Sequence, residues 1–191
     1  MKPQDQLKFI REKGVCIKIL ESDRKVPKGF FVWGEIEKPT GKLSEITSQK
    51  GLMGKTLCQG EHSLAKNCAT IVLASDAPRS TLLHEFLHHR QIEKDPSWCP
   101  LSKTLWQRTP SKDEQKLIRD KEWDVHKALW DNRKQLNFQI EDQVTVASET
   151  LEEAQVRKNF DPDAEKYTQT SNLLLELNSA ISQYKKKLGL K

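Results

Sequence analysis

At 191 residues the chain is long enough to bury one good core and too short for two large domains, so the expected organisation is a compact domain over residues 1–135 with a helical extension over 136–191 packed on it. Hydrophobic residues at 36% and charged residues at 31% exclude disorder throughout, because the apolar positions gather into segments instead of scattering. A net charge of +5, from 32 basic against 27 acidic residues, reads as a well-solvated surface; with no Arg-rich stripe interleaved with aromatics, no specific nucleic-acid partner is expected.

In chain order, a short helix over Gln6 to Lys13 is expected to stop at Gly14. Val15 to Leu20 and Phe30 to Glu37 read as strands, being rich in β-branched or aromatic residues. Residues 38 to 60, punctuated by Gly, Pro, Ser and Thr, read as turns with one short strand. Ala69 to Ser75 is the clearest strand, short and apolar, and ends at Asp76-Ala77-Pro78. Pro78 suits the first turn of a helix capped by Asp76 or Ala77, and that helix runs from about Arg79 to Glu93, before Pro96.

Further on, Ser111-Lys112-Asp113-Glu114 has the form of a capping box and opens a long helix that carries Glu122 and His126. Two more helices are expected over 139 to 158 and 163 to 187, the second begun by Asp161-Pro162. In the last one Leu173, Leu174, Leu177, Ile181, Tyr184 and Leu188 recur at helical spacing and define one apolar face. Trp98, Trp106, Trp123 and Trp130 read as core packing after the first long helix, with a specificity pocket as the alternative. The fold class is therefore α+β: a small mixed sheet, a helix that follows its clearest strand, and a helical C-terminal part.

The four cysteines, Cys16, Cys58, Cys68 and Cys99, contain no C-x-x-C pair, which argues against a cysteine zinc knuckle or a thioredoxin-type site. Cys58 and Cys68 bracket a polar loop, and the expectation is that they close it as a disulfide if the protein is exported. No run of about eighteen apolar residues is present, so no transmembrane helix is expected. Met1 to Gln6 offer no apolar signal core, which leaves a cytoplasmic protein or an exported one written without its signal; oligomeric state stays open as well.

Chemistry is concentrated in Thr81-Leu82-Leu83-His84-Glu85-Phe86-Leu87-His88-His89, which holds the pattern H-E-x-x-H on an expected helix. Residues four apart share a helical face, so the imidazoles of His84 and His88 can converge on one Zn2+. Glu85, the next residue along, is placed to take a proton from an attacking water and pass it to a leaving amine. The bland alternative is a pair of core histidines flanked by Leu82, Leu83, Phe86 and Leu87. Burying two imidazoles unpaired is expensive, and metal ligation would satisfy both. His89 lies about a hundred degrees round the helix from His88 and reads as a residue packed beside the ligands or against the sheet. His62 reads as a loop residue; it and Tyr167 are the remaining groups able to donate to an oxyanion.

His84-Glu85-Phe86-Leu87-His88 and the strand before it, about 25 residues in all, resemble the active-site helix of the zincin metallopeptidases. The resemblance implies a zinc-dependent metallopeptidase that cleaves protein or peptide substrates, with Glu85 as general base. It also implies that Ala69 to Ser75 is an edge strand to which the substrate adds as a further strand. The third ligand follows the gluzincin pattern better than the metzincin one. Metzincins place a histidine six residues beyond the second ligand and a glycine three beyond, where this chain has Lys94 and Gln91. Gluzincins supply a Glu from a downstream helix, and Lys121-Glu122-Trp123-Asp124-Val125-His126 resembles that element. Glu122 is then the implied third metal ligand, with His126, one turn on, as the alternative; His126 as an orienting residue or an oxyanion donor stays open. Two rival readings of function remain: a zincin-like protein-binding module without catalysis, and an amidase acting on cell-wall peptides.

Overall fold

The computed structural model describes residues 2–22, 33–46, 52–99, 108–160 and 168–190, with the side chains of 141, 157–160 and 168–172 outside the description. It divides into two compact units, Met1–Lys103 and Thr104–Lys191. Among the described residues there are five α-helices and one three-stranded mixed sheet, an α+β arrangement. No described helix is long and apolar enough to cross a membrane.

In the first unit, helix α1 (Pro3–Glu12) begins with a proline in its first turn and ends just before Gly14, whose φ of +80° is costly for any residue with a Cβ. Strands β1 (Cys16–Leu20), β2 (Gly54–Leu57) and β3 (Thr70–Ala74) follow, and helix α2 (Arg79–Lys94) comes after β3. The sheet order is β1-β3-β2, with β1 parallel and β2 antiparallel to β3. All five residues of β3 are buried, which explains its unbroken apolar run: a strand covered on both faces has no polar side to alternate with. Leu7 and Ile10 of α1, Ile17 and Ile19 of β1, Ile71 and Leu73 of β3 and Leu82 of α2 belong to one core.

Three expectations are corrected here. Ala69 to Ser75 does not offer an edge, because β3 is the central strand and its backbone is paired on both sides; among the described strands the edges are β1 and β2. The described part of Phe30 to Glu37 is not a strand: Trp33–Glu35 forms a 3-10 turn. Its tertiary bonds override the β-prone composition, since the buried Trp33 indole donates from Nε1 to the Pro78 carbonyl and Gly34 N–H donates to the Ser75 carbonyl. A Cβ on Gly34 would meet Ser75 at 3.1 Å, so a side chain there would need the end of β3 to give by a few tenths of an ångström. Finally, Cys58 and Cys68 do not pair with each other; the bonds are Cys16–Cys68 and Cys58–Cys99. Cys16 opens β1 opposite Thr70, so the parallel pairing itself carries Cys68, two residues earlier, to the Cys16 side.

The second unit contains α3 (Lys112–Asn132), α4 (Ile140–Phe160) and α5 (Thr168–Leu188), with α4 packed on both of the others. The Ser111 capping box is present: its hydroxyl accepts from Glu114 N–H while the Glu114 carboxylate accepts from Ser111 N–H. Arg108 also clasps that carboxylate with both terminal guanidinium nitrogens, Nη1 and Nη2, and this, with the Ser111 bond, holds the Glu114 pKa down at about 2. Leu173 and Leu177 are buried and Leu174, Ile181, Tyr184 and Leu188 half-buried, matching the apolar face expected for α5. Asp161, Pro162, Trp106 and Tyr167 lie outside the described residues.

The disulfides close loops whose ends lie 52 and 41 residues apart. A chain-entropy treatment gives each about 4 kcal/mol of stabilisation relative to the reduced unfolded chain. Adding a reductant should therefore move the urea midpoint of the first unit sharply down; an unmoved midpoint, or four thiols titrating in the native protein, would contradict both pairings.

Candidate metal centre

Helix α2 is fixed before its histidines are reached. Pro78, extended at φ −64° and ψ 161°, is its cap residue, so the helix starts one residue later than Pro78 in a first-turn position would imply. The Pro78 carbonyl is held by Trp33, and Arg79 Nε donates to Gln6 Oε1 at 2.8 Å in a buried contact with α1. Leu82 is fully buried, which points one face of the helix into the core. The turn that follows then presents His84, Glu85 and His88.

The two imidazoles meet nitrogen to nitrogen: His88 Nε2 and His84 Nε2 are 3.0 Å apart, with ring centroids 4.7 Å apart and planes at 71°. Two nitrogens bound tetrahedrally to one zinc ion lie about 3.3 Å apart, within a few tenths of an ångström of this separation. The arrangement thus fits a shared divalent cation. Gln91, one turn beyond His88, has its side-chain oxygen 2.9 Å from His88 Nδ1. A carbonyl oxygen can only accept, so it fixes the His88 proton on Nδ1 and turns the Nε2 lone pair toward His84, the tautomer a metal ligand needs.

Glu85 is buried against β2. Thr56 Oγ1 donates to Glu85 Oε2 at 2.9 Å and stands 2.7 Å from the Glu85 carbonyl oxygen. Lys55, the neighbour of Thr56, pairs with Glu61 at 3.6 Å; burial pushes its ammonium pKa down while Glu61 opposes the shift. His89 is buried, stacks on Phe86 at 6.2 Å between centroids and lies 3.5 Å from Glu93 on its own helix. Burial lowers the His89 pKa, with Glu93 pulling the other way. His62 caps the 3-10 helix Ser63–Ala65, its Nδ1 accepting from Leu64 N–H, a structural role in a loop.

In the second unit α3 carries Glu122 and His126 on one face, with Glu122 Oε2 3.9 Å from His126 Nε2. Glu149 of α4 approaches the other ring nitrogen, Nδ1, at 4.0 Å, so His126 sits between two carboxylates of its own unit. Trp98, Trp123 and Trp130 are buried, in keeping with packing. His84 and His88 of the first unit, and Glu122, His126 and Glu149 of the second, are each of a side-chain type that metal ions take as ligands.

Sequence reasoning singled out His84, Glu85, His88, Glu122 and His126 but missed Gln91, Thr56 and Glu149. Gln91 was findable, since it lies one turn from His88; contacts made by Thr56 and Glu149 join elements distant in sequence and leave no local signal. No protein-family model, curated protein or solved structure matches this chain.

If Gln91 orients a ligand, Gln91→Leu should weaken metal binding about 10- to 100-fold with the fold intact, as is usual when a ligand imidazole loses its outer hydrogen bond. Competition against a chromogenic chelator measures this, and an unchanged affinity would remove Gln91 from the centre.

Proposed function

We propose that this chain is a zinc-dependent metallopeptidase of the zincin type, in which His84 and His88 hold the metal with Glu122 as third ligand and Glu85 is the general base. The observation that carries the reading is the 3.0 Å approach of the two Nε2 atoms, one turn apart on a helix, beside a buried carboxylate. The gluzincin ligand set, two histidines on one helix and a glutamate from a helix downstream, favours Glu122 over His126 as the third ligand. Zinc held there would supply Lewis acidity, polarising a substrate carbonyl and making water a better nucleophile at neutral pH.

The protein's own groups do the rest. Glu85 accepts the proton of the attacking water on its carboxylate as the new C–O bond forms at the expense of the carbonyl π bond, and delivers that proton to the amine nitrogen, after which the C–N bond breaks and the carbonyl reforms. An extended substrate is proposed to add along the outer side of β2, the edge strand that flanks α2.

Two disulfides favour an oxidising compartment, and with it a second reading, hydrolysis of cell-wall peptides. Casein and cross-linked wall peptide offered side by side separate the two substrates. A non-catalytic binding module predicts cleavage of neither.

The role of Glu85 is tested by Glu85→Gln, which should keep the metal and lower kcat by about two to four orders of magnitude. His84→Ala should lose the metal. Of Glu122→Ala and His126→Ala, the reading expects only the first to lose it. Full activity in a metal-loaded Glu85→Gln protein would refute the general-base assignment.

A further inference from the structure

Gly54 and Thr56 lie on one face of β2, Cys58 follows just past its end, and each bears on α2 or the chain just after it. Gly54 lies so close to the helix that a Cβ there would come within 2.7 Å of Thr81 Cγ2 and 2.9 Å of Glu85 Cγ. Thr56 is buried and reaches Glu85. Cys58 is bonded to Cys99, which follows α2. The missing side chain at Gly54 thus lets strand and helix approach until a threonine hydroxyl two residues on can touch the carboxylate.

We propose that Thr56 is a positioning residue for Glu85: its hydroxyl, carried on β2, binds Oε2 and leaves Oε1 as the oxygen that exchanges protons. The inference rests on the general-base role proposed for Glu85. A threonine hydroxyl has one hydrogen to give. Of the two acceptors within reach, the carboxylate oxygen at 2.9 Å is the one that no helical N–H serves. The Glu85 carbonyl at 2.7 Å belongs to a residue in the interior of α2, where the helical N–H four residues on serves it.

Binding at Oε2 stops the carboxylate from rotating freely about its last torsion, which otherwise has broad minima. Oε1 is left over the surface of Gly54, 3.2 Å from where a Cβ would stand. The donor is well anchored: Thr56 is paired with Ile71 of the central strand, and a group on a sheet holds position better than one on a loop. Valine at 56 would keep the shape and lose the hydroxyl; serine would keep the hydroxyl.

Two measurements on Thr56→Val and Thr56→Ser decide the matter. With metal bound, Thr56→Val should lower kcat about a hundredfold while KM and metal content stay at wild-type values, and Thr56→Ser should restore most of the loss. In metal-free protein, Thr56→Val should lower the urea midpoint when Glu85 is present and much less in a Glu85→Ala background. Equal midpoint losses in both backgrounds, or an unchanged kcat in Thr56→Val, would overturn the proposal. Should wild type itself show no hydrolysis, the peptidase reading fails, while the metal-free cycle still decides whether Thr56 holds the Glu85 carboxylate.

Discussion

Two imidazole nitrogens cannot rest 3.0 Å apart with both lone pairs facing. Something positive must lie between them, a shared proton or a cation, and the rest of the centre follows from which one it is. Gln91 bears on that choice: by holding the His88 proton on the far nitrogen it commits His88 Nε2 to accepting. In metal-free protein His84 then supplies the proton. A divalent cation replaces that proton without moving either ring far, which is why the metal reading is economical.

The constraint reaches back into the fold. Rotating α2 by a single residue, about a hundred degrees, would turn His84 and His88 off their common direction and take Glu85 away from β2. Leu82 in the core, Trp33 on the Pro78 carbonyl and the Arg79 bond to Gln6 each set that rotation at the start of the helix. Gly54 sets its distance from the sheet, and the Cys58–Cys99 bond ties the end of β2 to the chain beyond it. These contacts all bear on one short stretch of helix.

How far the sequence could be read depended on whether a feature was local. The capping box at Ser111, the apolar run of β3, the helical face of Leu173 and Leu177 and the four-residue spacing of His84 and His88 are all written in neighbouring residues. Strand order is not: nothing in Thr70 to Ala74 distinguishes an edge from a centre except its lack of polar alternation, which in hindsight favoured the centre. Phe30 to Glu37 had strand composition, yet tertiary bonds to Ser75 and Pro78 decided the shape of its described part. Likewise Cys58 lay nearer in sequence to Cys68 than to Cys99, but pairing follows space, and strand register had already taken Cys68 to Cys16. Glu122 and His126 were recognisable as a pair from their four-residue spacing, whereas Glu149 comes near His126 only through the packing of α3 on α4.

The shared cation is tested most directly by crystallising the protein with zinc and recording anomalous scattering on both sides of the zinc absorption edge. The account predicts a single strong peak about 2.1 Å from Nε2 of both His84 and His88. Zinc bound only at other groups, with those two nitrogens still in contact and nothing between them but a proton, would contradict it.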